Sequence, residues 1–176
     1  FIKKINNFEF KINISIFKNI VSKLYLEIIK SIDNNKRYNI IHGDCTFSNT
    51  LKTLDNEIKY IDPRGYFGKT KLFGPIEYDY SKILYSMSGY DLFNKDLLYC
   101  FKYVNDNSIE IDTTYIDNLL NSKKIFENIG IDFKVCLNMV IIHWIGLSDY
   151  NKNNLNKCIS SLFIALLLYH NSINGF

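Results

Sequence analysis

Proline and glycine are scarce in this chain, with 2 and 8 residues among 176. That scarcity excludes collagen-like, linker-like and extensively disordered sequences, which are rich in these residues. Hydrophobic residues make up 47% of the chain, which is enough for one real core, whereas two ordinary domains would need a longer chain. We therefore expect a single compact domain.

Cysteine pairs are also lacking. The four cysteines lie far apart and none forms a C-x-x-C pair: Cys45, Cys100, Cys136 and Cys158. This spacing predicts neither a zinc site nor a disulfide framework. Free thiols in a reducing cytoplasm are the expectation.

Neither concentrated positive charge nor a long apolar run is present. The formal net charge of +3 comes from 21 basic and 18 acidic residues spread along the chain, so we do not expect a nucleic-acid partner. The longest apolar run, around Leu162 to Tyr169, is far below the ~18–20 residues that a membrane span requires, and no leader-like segment opens the chain. These observations predict a soluble protein. The first residue is Phe1 and not Met, so we also expect a fragment or a processed product.

Hydrophobic residues recur at spacings of three and four between Ile14 and Ile32. That period places them on one face of a helix and predicts an amphipathic helix ahead of the polar turn at 33–35. Similar patterns predict four more helices, at residues 78–88, 115–128, 133–147 and 153–171. The chain is therefore expected to be mostly helical.

Short β segments are predicted in the first half of the chain. Residues 38–41 are typical of a strand that runs into His42, and residues 50–54 and 58–61 are typical of a hairpin around a turn at 55–57. Residues 63–75 contain three glycines and no clear period, so we expect an irregular, functional loop there. For residues 98–111, a hairpin of 98–104 and 109–111 competes with a helix that continues to Cys100.

The stretch with chemical content runs from His42 to Asn49 and is followed, after the predicted hairpin, by Asp62. Phosphoryl transfer needs a carboxylate near the attacking hydroxyl and hard oxygen ligands for the magnesium ion on the nucleotide phosphates. Asp44, Asn49 and Asp62 are suitable residue types in a suitable order, and the hairpin returns Asp62 to the same end of the sheet as Asn49. The simpler alternative is a buried histidine and a capping aspartate in an ordinary turn.

Three segments carry a family resemblance: Ile40-Ile41-His42-Gly43-Asp44 with Asn49, then Ile61-Asp62, then Tyr78-Asp79-Tyr80-Ser81-Lys82. They are similar to the aminoglycoside phosphotransferase and choline kinase family, whose members adopt the protein-kinase-like fold. The resemblance covers roughly residues 15–90 well and the later helices only in general character. Within the family, Asp62-Pro63-Arg64-Gly65 and the glycines after it resemble bacterial phosphotransferases encoded with capsule or surface-polysaccharide genes.

The resemblance implies roles for the matching residues. Asp44 would be the catalytic base or the residue that positions the hydroxyl, and His42 would brace the catalytic loop. Asn49 and Asp62 would bind Mg²⁺ and, through it, ATP. Asp79 would be structural and would anchor the catalytic loop.

Gly43 differs from protein kinases, and Pro63 and Arg64 depart from the family's usual pattern. Gly43 stands where protein kinases carry the arginine that reads a phosphorylated activation loop, and no Ala-Pro-Glu follows, so control by loop phosphorylation is not expected. Pro63 and Arg64 replace the more usual residues after the metal-binding aspartate. Because a planar guanidinium suits phosphate oxygens, we expect Arg64 to contact the nucleotide or an anionic substrate, with a surface salt bridge as the alternative.

A nucleotide-covering lobe is missing from the predicted elements. Kinases need such a lobe, with a flexible loop and a lysine paired to a glutamate on a helix. His42 is preceded by 41 residues, and Lys3 and Lys4 lie beside no recognisable strand and loop of that lobe. We therefore interpret residues 1–176 as a C-terminal catalytic lobe that needs an N-terminal lobe for activity.

Other reactive side chains have simpler explanations. Cys45 has no histidine at a nucleophile's spacing except His42, whose place in the motif accounts for it, so we reject a cysteine hydrolase. His143 and His170 lie on apolar-rich predicted helices with no partner at metal-ligand spacing, so we interpret both as structural.

The sequence thus predicts an α+β fold, mostly helical, with a small antiparallel hairpin that presents Asn49 and Asp62 beside Asp44. The expected function is ATP-dependent phosphoryl transfer to a hydroxyl of a small molecule such as a sugar, an amino alcohol or an aminoglycoside. The alternative is a pseudokinase-like nucleotide-binding or regulatory module in a surface-polysaccharide pathway. A protein kinase is the third possibility, disfavoured by Gly43.

Overall fold

The protein has an α+β fold that is mostly helical, as expected. The computed structural model describes residues 2–5, 8–11, 13–35, 38–96, 101–105, 108–111 and 114–174. In these residues the helices are α1 Ile14–Asn35, α2 Ile76–Met87, α3 Tyr90–Asn94, α4 Thr114–Asn121, α5 Lys123–Asn128, α6 Phe133–Tyr150 and α7 Leu155–Asn174. None of these described helices combines the length and the apolar character that crossing a bilayer demands.

The strands are short and form antiparallel pairs. They are β1 Ile2–Ile5, β2 Phe8–Lys11, β3 Tyr38–Ile40, β4 Thr50–Lys52, β5 Ile58–Tyr60, β6 Tyr66–Phe67, β7 Thr70–Lys71, β8 Phe73–Pro75, β9 Phe101–Asn105 and β10 Ser108–Ile111. The predicted hairpin around the turn at 55–57 is confirmed, since β4 pairs with β5 in the register Thr50 to Tyr60.

Helix α6 forms the centre of the core. Its sequence is apolar on nearly all sides, which is the pattern of a helix that is buried around its circumference. Leu137, Val140, Ile141 and Trp144 are completely buried, and α1, α2 and α7 all pack against this helix. The indole N–H of Trp144 donates to Ser88 Oγ at 2.8 Å, so its polar atom is satisfied inside the core.

Helix α1 behaves as its amphipathic pattern predicts. Ile20, Leu24, Ile28 and Ile32 recur at a spacing of four and are buried, whereas Ile14, at the start of the helix, is about half exposed. The helix therefore lays one stripe on the core and carries the chain to β3, directly before His42.

The expectation of an irregular loop at residues 63–75 is wrong. This segment contains β6 paired with β7, followed by β8, which pairs antiparallel with β3. The backbone N–H of Ile41 also donates to the Leu72 carbonyl at 2.8 Å. The glycine-containing segment therefore lies against the strand that precedes His42. Strands of two or three residues are too short to show a period in the sequence.

Two other expectations need correction. The helix predicted at 115–128 is divided into α4 and α5 at Ser122, a buried residue whose hydroxyl donates to the Leu119 carbonyl at 2.6 Å. The lead-in before α1, for which no strand was expected, contains β1 paired with β2. The hairpin alternative for residues 98–111 is supported by the pairing of β9 with β10, while Leu98 to Cys100 fall outside the described residues.

Gly74 in β8 is closely packed, and this packing leads to a stability prediction. A methyl group at this position would lie 2.7 Å from Ile41 Cδ1 and 2.9 Å from Phe67 Cβ. We expect Gly74→Ala to lower the free energy of unfolding by about 1–3 kcal/mol, because the neighbours must move. Urea denaturation would measure the change.

Gly146→Ala is the matched control for that experiment. Nothing lies within 4 Å of a methyl group built at Gly146, which is inside α6. We expect the replacement to raise the free energy of unfolding by about 0.5–1 kcal/mol, since alanine favours a helix. Equal destabilisation by the two variants would contradict the packing described for β8.

Candidate active site

The loop from His42 to Ser48 follows β3 and is held by the carboxylate of Asp79 in the first turn of α2. Asp79 Oδ2 accepts from the backbone N–H of His42 at 2.8 Å, and Oδ1 accepts from that of Gly43 at 2.7 Å. Such bonds to an ionised acceptor are stronger than neutral ones. The predicted anchoring role of Asp79 is confirmed.

The backbone of Gly43 requires a glycine at this place. Its φ of 82° lies in the left-handed region, and a Cβ would lie 3.1 Å from Arg64 Cβ. The neighbouring backbone is close because the N–H of Gly65 donates to the His42 carbonyl at 3.0 Å. The loop and the segment after Asp62 are therefore in direct contact.

The side chain of Asp44 is bound from two sides. Asn49 Nδ2 donates to Asp44 Oδ2 at 3.2 Å and to the Asp44 carbonyl at 3.0 Å. Lys82 Nζ lies 3.2 Å from Asp44 Oδ1. The carboxylate keeps 28% exposure, so it is fixed in orientation and still reachable from solvent.

Lys82 contacts Asp44 but was given no role by the sequence reasoning. Its side chain is only 9% exposed, and Nζ lies 5.8 Å from the centre of the Tyr78 ring and 5.7 Å from that of Tyr85. Burial lowers the pKa of the Lys82 ammonium, while the ion pair with Asp44 opposes that shift. The contact with Asp44 is thus the main compensation for burying this cation.

One face of α2 supplies the partners of the loop in order. Asp79, Lys82 and Ser86 are separated by three and four residues, so they lie on the same side of the helix. Asp79 binds the start of the loop, Lys82 binds Asp44, and Ser86 Oγ accepts from the Phe47 N–H at 2.9 Å. This polar stripe on a largely buried helix was a signal that could have identified Lys82 from the sequence.

The far end of the loop is held by α3. Asp91 Oδ1 accepts from the Ser48 N–H at 2.9 Å, and Thr46 Oγ1 and Ser48 Oγ are 2.9 Å apart. Thr46 is buried, with 1% exposure. The loop is therefore fixed at both ends, and Asp91 is a second supporting residue that the sequence reasoning did not find.

His42 shapes the loop and does not contact the Asp44 carboxylate. His42 Nδ1 accepts from the Asp44 backbone N–H at 3.3 Å, and the imidazole lies 5.6 Å from the Tyr60 ring. Nε2 is buried and has no partner among the described residues. This geometry fits a bracing residue better than a proton-transferring one.

Asn49 and Asp62 are brought to the same end of the β4–β5 hairpin. The Ile61 N–H donates to the Asn49 carbonyl at 2.9 Å, so Asp62 follows the residue that faces Asn49. Asp62 is exposed and has a φ of 56°, a conformation that non-glycine residues rarely adopt and that often marks functional positions.

The donor chemistry of these two residues fits magnesium. Asn49 uses Nδ2 for Asp44, so its amide oxygen faces away from that carboxylate. Amide and carboxylate oxygens are hard ligands, and Mg²⁺ usually takes only one or two protein carboxylates together with substrate phosphates. Among the described residues no cluster of three or more His, Cys, Asp or Glu side chains forms a self-contained metal site.

Arg64 lies beside aromatic rings and not in a salt bridge. Its guanidinium carbon is 5.6 Å from the centre of the Tyr66 ring. Burial raises the pKa of the Tyr78 hydroxyl, and the neighbouring Arg64 charge opposes that shift. In the part of the chain that the structure describes, no carboxylate lies within ion-pair distance of Arg64, so the salt-bridge alternative is not supported.

Cys45 and His143 are not equipped for catalysis. Burial and the nearby Asp79 raise the pKa of the Cys45 thiol to about 12, so it carries almost no thiolate at neutral pH. His143 Nε2 lies 3.2 Å from Ser81 Oγ. Burial, together with the charges of Lys82 and Arg64, lowers the pKa of His143 well below its usual range, which keeps the ring neutral.

Comparison of the chain with protein-family models, with curated proteins and with solved structures found no match. The function is therefore argued from the geometry of the loop and its surroundings.

The Asp79 anchor predicts a specific effect of neutralising one carboxylate. We expect Asp79→Asn to lower the free energy of unfolding by about 1.5–3 kcal/mol, because an amide cannot accept from both backbone N–H groups. Urea denaturation would measure the loss, and hydrogen exchange of the His42 and Gly43 amides should accelerate. Glu57→Gln, on the exposed hairpin, serves as the control and should change the unfolding free energy by no more than about 0.5 kcal/mol.

The thiols predict an order of alkylation. In the folded protein at pH 8, we expect iodoacetamide to modify Cys158, which is partly exposed, well before Cys45 and Cys136, which are buried and have raised pKa values. Mass spectrometry of peptides from a time course would give the three rates. Modification of Cys45 as fast as Cys158 under native conditions would contradict the buried position of Cys45.

Proposed function

We propose that this chain is the C-terminal catalytic lobe of a protein-kinase-like phosphotransferase that transfers the γ-phosphoryl group of ATP to a hydroxyl of a small molecule. The observation that carries this proposal is the Asp44 carboxylate, oriented by Asn49 and Lys82 on a loop that Asp79 anchors. Positioning of this kind is the main contribution that a protein makes to phosphoryl transfer.

In the proposed reaction the acceptor hydroxyl attacks the γ-phosphorus. A new bond forms between the acceptor oxygen and phosphorus, the bond from phosphorus to the β–γ bridging oxygen breaks, and ADP leaves with that electron pair. The proton of the hydroxyl passes towards Asp44 and then to solvent. Asp44 therefore orients the hydroxyl, Asp79 and His42 hold the loop, and Lys82 holds the carboxylate.

Asn49 and Asp62 would hold the magnesium ion. When bound, that ion neutralises the charge on the nucleotide phosphates. Both residues lie at the end of the β4–β5 hairpin. Asp62 directly follows the last hydrogen bond of that hairpin, and its backbone lies in the left-handed region. ATP as the donor agrees with the cytoplasmic location expected from a sequence without C-x-x-C pairs.

A nucleotide-covering lobe is part of the proposal. Such a lobe supplies the flexible loop and the lysine–glutamate pair that hold the phosphates in enzymes of this fold. We expect this chain alone to be inactive. The acceptor class remains a small molecule such as a sugar, an amino alcohol or an aminoglycoside.

A nucleotide-binding or regulatory module without turnover is the second candidate. The ion pair between Lys82 and Asp44 favours it, because a carboxylate that already binds a cation is less available to a hydroxyl. Tight MgATP binding with no turnover on any acceptor would support this candidate over the first.

The proposal predicts a large effect of Asp44→Asn on catalysis. In the complete gene product we expect the variant to lower kcat by about 10²–10⁴-fold, because the amide cannot accept the hydroxyl proton. Acceptor-stimulated release of ADP from MgATP, measured over a panel of sugars, amino alcohols and aminoglycosides, gives this number. Asp62→Asn should abolish turnover at ordinary magnesium concentrations.

Asp55→Asn is the matched control. It removes the same charge from the exposed turn of the same hairpin, and it should leave turnover unchanged. Wild-type turnover by Asp44→Asn would overturn the assignment of Asp44, whatever the acceptor.

A further inference from the structure

A pocket of about 340 Å³ lies between the Asp62-following segment and helices α2, α3 and α6. Its volume is at the lower end of the range for small-molecule sites, about 300–1,000 Å³. The residues that matter to the argument are Arg64, Lys82, Tyr85, Tyr90, Asn94 and Gly146. Lys82 joins this pocket to the catalytic loop, since its ammonium contacts Asp44 at 3.2 Å.

The charged residues that line the pocket are both cations, and the Asp44 carboxylate lies just outside the lining, against Lys82. Two cations, Arg64 and Lys82, line it, and none of its described lining residues carries a carboxylate. The positive charge of Lys82 is already compensated by the Asp44 carboxylate. Arg64 has no carboxylate within ion-pair distance among the described residues, and its guanidinium interacts with the Tyr78 hydroxyl. A guanidinium carries five N–H donors, so this contact leaves donors for an anion.

The remaining walls suit a small polar molecule. Tyr85 and Tyr90 stack with ring centres 4.2 Å apart, and they offer a flat surface at one side of the pocket. Burial raises the pKa of both phenols, so they stay neutral donors. At Gly146 on α6 there is open space where a side chain would be, which leaves room for the ligand.

We infer that this pocket binds the acceptor and selects a small hydroxylated molecule that carries an anionic group, a carboxylate or a phosphate, over neutral and cationic analogues. Arg64 holds the anion, and the hydroxyl lies towards Asp44. The acceptor role rests on the proposed function, whereas binding of the anion to the pocket can be measured without any reaction.

Matched probes separate charge from shape. Glucose, glucuronate, glucose 6-phosphate and glucosamine share one ring, and glycerol, glycerate, glycerol 3-phosphate and serinol form a second set. With the complete gene product and no nucleotide, we expect calorimetry to show the anionic members binding at least 10-fold more tightly than the neutral and cationic ones. Comparison of the carboxylate probes with the phosphate probes shows which of the two anionic groups the pocket binds. Failure of every anionic probe to bind would overturn the inference.

Two variants test whether this pocket is responsible. Arg64→Gln should raise the Kd of the preferred anion at least 10-fold and remove the preference for charge, while Lys69→Gln, an exposed lysine in the β6–β7 turn, should change neither. Gly146→Leu should abolish anion binding by filling the pocket and should leave MgATP binding unchanged. Weaker MgATP binding by Arg64→Gln with unchanged anion binding would assign Arg64 to the nucleotide and overturn the inference.

The outcomes distinguish this inference from the proposed function. Turnover confined to neutral or cationic acceptors would overturn the anion preference and leave the phosphotransferase proposal intact. Anion binding that both pocket variants remove, without turnover on any acceptor, would support the anion site and overturn the phosphotransferase proposal.

Discussion

The two hydrogen bonds from the loop to the Asp79 carboxylate are the interaction on which the rest of the site depends. They satisfy adjacent backbone N–H groups of His42 and Gly43 at 2.8 and 2.7 Å, and Gly43 is buried, so its N–H could not turn to water instead. Asp79 belongs to α2, which packs against the central helix α6. The conformation of the loop is therefore set by the packing of the core, and a change that displaces α2 would displace the loop with it.

The same helix face does more than anchor. Because Asp79, Lys82 and Ser86 lie on one stripe, the loop runs along α2 and meets a different partner at each turn. Asp44 is thereby held between a cation on the helix and an amide from its own loop, Asn49. Both partners fix the carboxylate before any ligand arrives, and preorganisation of this kind is the larger part of what a protein contributes to reactions with charged transition states.

The sequence predicted well what depends on local pattern. The helices that begin at residues 14, 76, 133 and 155 and the hairpin at 50–60 follow from periodicity and turn residues, and the anchoring aspartate followed from the family resemblance. What it could not predict depends on distant contacts. The pairing of β3 with β8 joins residues separated by a glycine-containing segment with no period, and the pocket exists only because α2, α3 and α6 converge. Lys82 was predictable only in part. Its spacing of three residues from Asp79 places both on one face of α2, but its contact with Asp44 could not be read from the sequence.

The burial of Lys82 is better explained by the site than by the fold. An ion pair with little exposure contributes small net stability, because the loss of hydration cancels most of the attraction, and a hydrophobic side chain of similar size would often serve the core as well. Here the ammonium lies among tyrosine rings with one carboxylate partner, and burial lowers its pKa. The Lys82 ammonium fixes the Asp44 carboxylate on one side. On the other side it lines the pocket that also contains Arg64. Lys82 thus lies between the Asp44 carboxylate, which suits a hydroxyl, and the Arg64 guanidinium, which suits an anion. A molecule that carries both a hydroxyl and an anionic group would therefore bind in one orientation.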